Sequence, residues 1–292
     1  MTTSAADLTF GLEIECYIPE ANINFRIGSY HNGIQVPTLP QGWKAERDSS
    51  IRPPVGKVAV EFVSPILMGA DGVRQVEFVL QWLRDMGAGC NESCGIHVHV
   101  GSDKKTAQKL VGLVAQYEKA LFAVSGQKGK SRAANNIFCR SMVANEAIRS
   151  AYAGRTQVMT VAGQSRYNIL NLTNLLAGVR PAVEFRAFAS TFRTEVVLGY
   201  IRICLGMVQV AATLKREVKF TSVLHKPTDT GVDHVRYLLL RLRWGFASSK
   251  SAQRTKDGVD FGWVASSAQT DPKAARKAML ATAKEFDAEM AI

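Results

Sequence analysis

Glu13 and Glu15, Glu61, His97 and His99, and Glu184 with Arg186 lie on four short segments that alternate apolar and charged residues. In an extended strand alternate side chains share a face. In Phe10-Gly11-Leu12-Glu13-Ile14-Glu15, Leu12, Ile14 and then Cys16 point one way and the two glutamates the other. Ile96, Val98 and Val100 oppose His97 and His99, and Val183 and Phe185 oppose Glu184 and Arg186. Two carboxylates about 7 Å apart on one strand face suit Mg²⁺, which takes few carboxylates and completes its shell with water and phosphate oxygens. Glu184 and Arg186 add a carboxylate for metal and a guanidinium for developing phosphoryl charge. Glu61 sits in the apolar run Val58-Ala59-Val60-Glu61-Phe62-Val63. A carboxylate buried there needs a partner or a metal. These residue types suit a cleft that holds metal and phosphate.

Plainer readings stand beside this one. Glu184 and Arg186 could form a surface ion pair, which is common and contributes little. Cys90 and Cys94 upstream of the histidines raise a zinc-stabilised interaction protein, but Cys-x₃-Cys-x₂-His-x-His departs from the usual finger spacings. His97 against a phosphate or acyl group is the preferred reading, with His99 as its support, or the reverse. Asp48, in Glu46-Arg47-Asp48-Ser49-Ser50, reads as a turn or as a substrate-facing carboxylate. Arg166-Tyr167-Asn168 and Asn171 supply a donor-rich stretch, although the asparagines could simply end strands. Walker-type, Gly-x-Gly-x-x-Gly and Gly-x-Ser-x-Gly motifs are absent.

The elements that must position these residues follow from periodicity. Residues 8–18 and 58–65 read as strands, the second stopped by Pro65. Residues 19–57, rich in Pro, Gly and Asn, read as a long loop or an extended excursion of the kind that serves as a lid or binding segment. Asp71 can cap a helix to about Met86. Ser102 or Asp103 can cap another that ends near Gly126. Residues 133–152 read as helix, and Asn168–Leu172 and Val183–Arg186 as strands. Thr191 or Thr194 can cap a long apolar helix to about Glu217. Helices are expected over Val232–Trp244 and from Asp271-Pro272 to Met290, with a mobile stretch from Ala247 to Gly258 between them. The order lacks a βαβ rhythm, so the expected class is α+β with an antiparallel sheet backed by helices.

Composition sets bounds. With 292 residues, 47% hydrophobic and 21% charged, the chain can bury a core, which excludes disordered and fibrous classes. The segment Val196–Leu214 is apolar but interrupted by Arg202 and Gln209, and reads as a buried helix, not a membrane span. The N-terminal residues lack a basic region followed by an apolar stretch, so no signal peptide is expected. Five scattered cysteines fit a reducing, cytoplasmic compartment. A net charge of +11, with many basic residues in Lys104–Arg140 and Lys215–Lys256, is compatible with solvated helix faces or with a polyanionic ligand, nucleic acid included.

Taken in order, Phe10-Gly11-Leu12-Glu13-Ile14-Glu15, Glu61-x-x-Ser64-Pro65, Cys94-Gly95-Ile96-His97-Val98-His99-Val100-Gly101, Tyr167-Asn168-x-x-Asn171-Leu172 and Val183-Glu184-Phe185-Arg186 resemble the amidoligases. That family is similar to the glutamine synthetase and glutamate–cysteine ligase superfamily. The resemblance covers roughly residues 8 to 215. It implies a glutamine-synthetase-like antiparallel sheet whose concave face holds Mg²⁺ and ATP. It also implies ATP-dependent joining of a carboxylate to an amine through an acyl phosphate. Carried over, Glu13, Glu15, Glu61 and Glu184 become metal ligands. Arg186, Asp48 and His97 become catalytic, and Arg166, Asn168, Asn171, His99 and Arg186 contact the nucleotide. Residues 1–220 would form the catalytic domain, and 221–292 a basic helical extension packed on it. Carboxylate- and amine-bearing substrates, such as an amino acid or peptide, are expected, as is a homo-oligomer. A ligase that attaches an amino acid or amine to a modified base would reconcile this reading with the positive charge.

Overall fold

The structure is a computed structural model that describes residues 7–126, 136–154, 158–218, 228–242 and 272–290. Its frame is an open, eight-stranded sheet in which every pair of strands runs antiparallel. The strands are β1 (Thr9–Pro19), β2 (Ile34–Gln35), β3 (Lys44–Glu46), β4 (Lys57–Val63), β5 (Leu67–Met68), β6 (Gly95–Gly101), β7 (Leu170–Asn171) and β8 (Ala182–Ala189). Their order is β2-β3-β4-β1-β6-β8-β7, and β5 pairs with the start of β1. The chain is α+β, as its alternation predicts.

Alternation decides which side of the sheet is covered. Leu12, Ile14, Cys16, Val60, Phe62, Ile96, Val98, Val100, Val183 and Phe185 are almost fully buried. Helices pack on this apolar side: α1 (Gly69–Asp85), α2 (Lys104–Gln116), α3 (Glu118–Ala123) and α7 (Thr194–Thr213). Shorter helices α4 (Glu146–Ala153), α5 (Val158–Ala162) and α6 (Thr173–Leu176) lie between β6 and β8 in sequence. Helix α7 is long and apolar enough to cross a membrane, but 78% of its apolar window is buried inside the protein. It packs against α1, α2 and β6, so the core accounts for its composition. Helices α8 (Gly231–Arg241) and α9 (Pro272–Met290) pack on α3, on α7 and on each other, with Leu238, Met279 and Phe286 joining the same core.

Several local expectations are corrected. The excursion over 19–57 contributes β2 and β3, because Ala45 faces Phe62 on the apolar side and Trp43 is fully buried. Helix α1 starts at Gly69 without a side-chain cap, and Asp71 lies in its first turn. One expectation holds as stated: of Ser102 and Asp103, Asp103 caps α2 by accepting from Thr106 N. The helix expected to reach Gly126 breaks at Tyr117, so Glu118 opens α3. Residues 136–145 are irregular, and α4 begins only at Glu146. Neither Thr191 nor Thr194 caps α7, whose N-cap is Arg193. Helix α8 opens on a capping box between Thr230 and Asp233 that the sequence reading passed over. The stretch Ala247–Gly258 lies outside the described residues, as does the basic segment Gln127–Arg132, which the sequence marks as a Gly- and Ser-containing loop.

Candidate active site

The polar side of the sheet carries three lateral rows. Cross-strand neighbours are directly opposed in an antiparallel ladder, so register alone brings side chains together. Glu46 faces Glu61, which faces Glu15. Glu13 faces His97. Gly11 faces His99, which faces Glu184, which faces Asn171. A methyl at Gly11 would make only ordinary contacts, 3.5 Å from Ser64 Oγ at the nearest, so no close approach requires glycine there.

Alternation from Glu184 sets Arg186 on this face, and an irregularity in the ladder begins there. Val98 pairs with Phe185 but Ile96 with Phe188, so β8 holds two residues, Arg186 and Ala187, opposite His97. This is a bulge, a device common beside active sites because it re-aims one side chain. It keeps Glu184 and Arg186 on the polar side while Phe188 returns to the core.

The side chains form one connected network. His97 Nδ1 lies 2.9 Å from Glu13 Oε2 and 3.5 Å from Glu184 Oε1, and its Nε2 lies 3.6 Å from Glu15 Oε1. His99 Nε2 is 3.0 Å from Glu13 Oε1. Arg186 Nη1 donates to Glu184 Oε1, and Asn171 Nδ2 donates to the other oxygen at 2.6 Å. Arg186 Nε donates to the carbonyl of Phe138 at 3.2 Å. Glu15 accepts from the backbone N–H of Gly95.

Electrostatics divides the acids. Burial pushes the Glu13 carboxyl up, but His99 and His97 outweigh it and hold the group well below the usual carboxylate range. Burial likewise opposes ionisation of Glu184, yet Arg186 and His99 bring its pKa down. His99 is disfavoured as a cation by burial, but Glu13 raises it. At Glu61 the neighbouring acids dominate. Burial, and then Glu13, Glu15, Asp48 and Glu46, push its pKa up to about 10. A buried acid among acids is the local signature of a site shaped for a cation.

This yields a pH prediction with a definite sign. Between about 4.5 and about 10 the folded, cation-free protein holds a proton on Glu61 that the unfolded chain has lost. Stability from this group is therefore full below about 4.5 and declines as pH rises towards 10. At pH 8 the cation-free Glu61→Gln variant will be the more stable protein by about 2 kcal/mol, read from denaturant midpoints. A divalent cation that binds against Glu61 near pH 7 would displace close to one proton, seen as a buffer-dependent heat, and the Glu61→Gln variant would release none.

Three residues of the polar face, Glu15, His97 and Arg186, open on a cavity of about 570 Å³, while Glu13, Glu61, His99, Asn171 and Glu184 stand behind them and do not line it. Small-molecule sites span roughly 300–1,000 Å³. Glu15, Asp48, His97, Arg166 and Arg186 line it. Asp48 Oδ1 accepts from Ser50 N at 2.6 Å, so the cluster is both a turn and a cavity wall. Arg166 stands at the exposed edge, where its guanidinium donates to the Tyr30 hydroxyl at 3.0 Å. Asn171 supports Glu184 from beneath. Asn168 is directed elsewhere: its buried amide donates to Ala162 O at 2.7 Å, and it is not among the cavity residues. The Asn168 amide thus makes a structural contact.

Three groups of ligand atoms each lie within 4.8 Å of one another: Glu13, His99 and Glu184; Glu13, Glu61 and His97; and Glu15, Asp48 and Glu61. Neither Cys90 nor Cys94 belongs to a group of this kind among the described residues. Cys90 instead donates to Ser190 O, and Cys94 is buried beside Asn91. The zinc site built on these cysteines and the two histidines is thus replaced by an acid-and-histidine face.

Residues 7–208 match the model of a family described as "Putative amidoligase enzyme". The chain belongs to the amidoligase family. None of the curated proteins matches this amidoligase in sequence. Among solved structures, that of a bifunctional glutathione synthetase from Pasteurella multocida is similar at a TM-score of 0.46 and 11% identity, over 96% of this chain and 51% of that one. The amidoligase chain spans about half the length of that protein, and a likeness so distant carries no functional weight.

The sequence reading passed over four contributors. Glu46, buried opposite Glu61, was hidden because β3 was unrecognised, although Lys44-Ala45-Glu46 alternates. Tyr30 and Arg52 sit in the excursion, where no period marks them. The Phe138 carbonyl is a backbone group and carries no residue-type signal at all.

Proposed function

We propose that this amidoligase is an ATP- and Mg²⁺-dependent carboxylate–amine ligase that works through an acyl phosphate on a glutamine-synthetase-like sheet. The observation that carries the reading is that Arg186, His97, Glu15 and Asp48 line one cavity, with Glu61 grouped against Glu15 and Asp48. The donor chemistry fits the cation. Glu15, Asp48 and Glu61 offer an all-oxygen set suited to a hard ion, and the two groups that include a histidine also suit Mn²⁺. Bound there, Mg²⁺ would neutralise phosphate charge and polarise the phosphoryl group.

The protein's own groups supply the rest. Arg186 is held by Glu184 and the Phe138 carbonyl, so its remaining donors are fixed before a phosphoryl group arrives. His97 is braced by Glu13 through Nδ1, which leaves Nε2 turned towards Glu15. Asp48 accepts the proton of the attacking amine. It also belongs to the all-oxygen set, and a cation held by its free oxygen would withdraw it from that task. The free thiols support a cytoplasmic setting. The cavity mixes arginines with carboxylates instead of presenting a basic track, which favours a small or peptide acceptor over nucleic acid.

The test is turnover of MgATP with pooled amino acids and hydroxylamine as the amine. ADP together with a hydroxamate is the expected product pair. AMP in place of ADP would refute the acyl phosphate.

A further inference from the structure

Glu118 is a buried carboxylate outside the cavity, 7% exposed at the start of α3. It is the acceptor for three donors from one stretch of irregular chain: the Ser141 hydroxyl, Met142 N at 2.7 Å and Val143 N at 3.3 Å. Burial pushes its pKa up, and these donors offset only part of that rise. A buried carboxylate is costly unless its oxygens are hydrogen-bonded, and all three donors that meet this need come from the one stretch, none of them from a residue lining the cavity.

The stretch it holds runs directly to the site. Arg140 forms a bridge with Asn168, its N–H donating to Tyr167 O at 2.6 Å and its carbonyl accepting from Ile169 N at 2.9 Å. Arg186 N in turn donates to Ile169 O at 2.9 Å. Phe138 packs edge-on against Tyr167 at 5.7 Å between ring centroids, and its carbonyl accepts from Arg186 Nε. Phe138 and Tyr167 both line the cavity.

We propose that Glu118 is a positioning residue for Arg186: it fixes the Phe138–Val143 stretch, and with it the carbonyl that orients the guanidinium and one wall of the cavity. The inference deepens the proposed function and rests on it for Arg186's role in phosphoryl binding. Its geometric part stands alone. Groups that orient catalytic or ligating side chains typically change affinity or activity by about 10–100-fold when altered.

Two measurements test this, with Glu118→Gln and, should that variant fold poorly, Ser141→Ala, which removes only the hydroxyl. The first uses the ligand-free protein and follows hydrogen exchange at the Arg186 Nε–H by NMR. Exchange about tenfold faster in the variant, with β6 amides unchanged, is the expected result. An unchanged rate would mean that the buried Cys139 and Met142 hold the stretch without Glu118, and would overturn the proposal. The second measures binding of Mg²⁺ with a non-hydrolysable ATP analogue. Glu118→Gln should weaken it about tenfold, and should add nothing in an Arg186→Ala background. Additive losses would show that Glu118 does not act through Arg186. A wild-type protein that fails to bind the analogue would sink the ligase reading, and the exchange measurement would then decide for Glu118 by itself.

Discussion

Glu13→Gln will lower turnover by about 10³-fold, a loss of the size seen when one preorganised charge is removed from a reacting centre. Glu13 is the hub of the polar face. It contacts both His97 and His99, and it belongs to two of the three ligand groups. Glutamine keeps the shape but offers one neutral oxygen, so both histidines lose the anion that orients them. The Glu13 pKa is depressed in the fold, so its contribution to stability is present above the ordinary carboxylate pKa and is lost as pH falls through the depressed value. The variant should therefore be about 1–2 kcal/mol less stable at pH 7 and still folded. Mg²⁺ calorimetry alongside kcat separates the two effects. Wild-type turnover in this variant would remove the sheet face from the mechanism.

Arg186→Ala will cost a similar factor, about 10³-fold in kcat, the lower end of what an arginine contributes to phosphoryl transfer. It differs in what it does to the fold. Arg186 is 5% exposed and pairs with Glu184, itself 6% exposed. Removing one partner of a buried pair strands the other, at about 3–5 kcal/mol. Arg186→Lys separates charge from geometry: it should restore most of the stability, yet leave most of the turnover missing, because an ammonium cannot contact Glu184, the Phe138 carbonyl and a phosphoryl oxygen as a planar fork does. Denaturant midpoints and initial rates of ADP release on the two variants are the measurements. Full activity in Arg186→Lys would mean that only the charge matters.

How much of this was legible depended on whether the signal was a side-chain period. Strands β1, β6 and β8 declare themselves because charged residues alternate with Leu, Ile, Val and Phe, and β4 because it is an apolar run stopped by Pro65; the register of β1, β6 and β8 then aligns Glu13 with His97 and His99 with Glu184. Strand β3 did not, since three residues among prolines and glycines show no period, and Glu46 stayed hidden with it. Glu61 was marked as needing a partner or a metal, but a sequence cannot give the sign of its spatial neighbours, which turn out to be acids. Asn168 matched a motif by type while its amide turned towards Ala162 O, a direction set by the local backbone. The Glu118 anchor links positions more than twenty apart in sequence through backbone N–H groups, which every residue but proline has.

The extra residue in β8 has the character of an edge dislocation in a crystal: a row that begins with one neighbour's count ends with one more. Such defects are pinned, because moving one means breaking the lattice beside it. Sliding β8 along β6 by one residue would turn Phe188 out of the core and carry Arg186 off the polar side together, so the slip is opposed on both faces at once. The guanidinium thus stands at the one point on the strand where the ladder's phase changes, and the apolar packing behind it locks that phase in place.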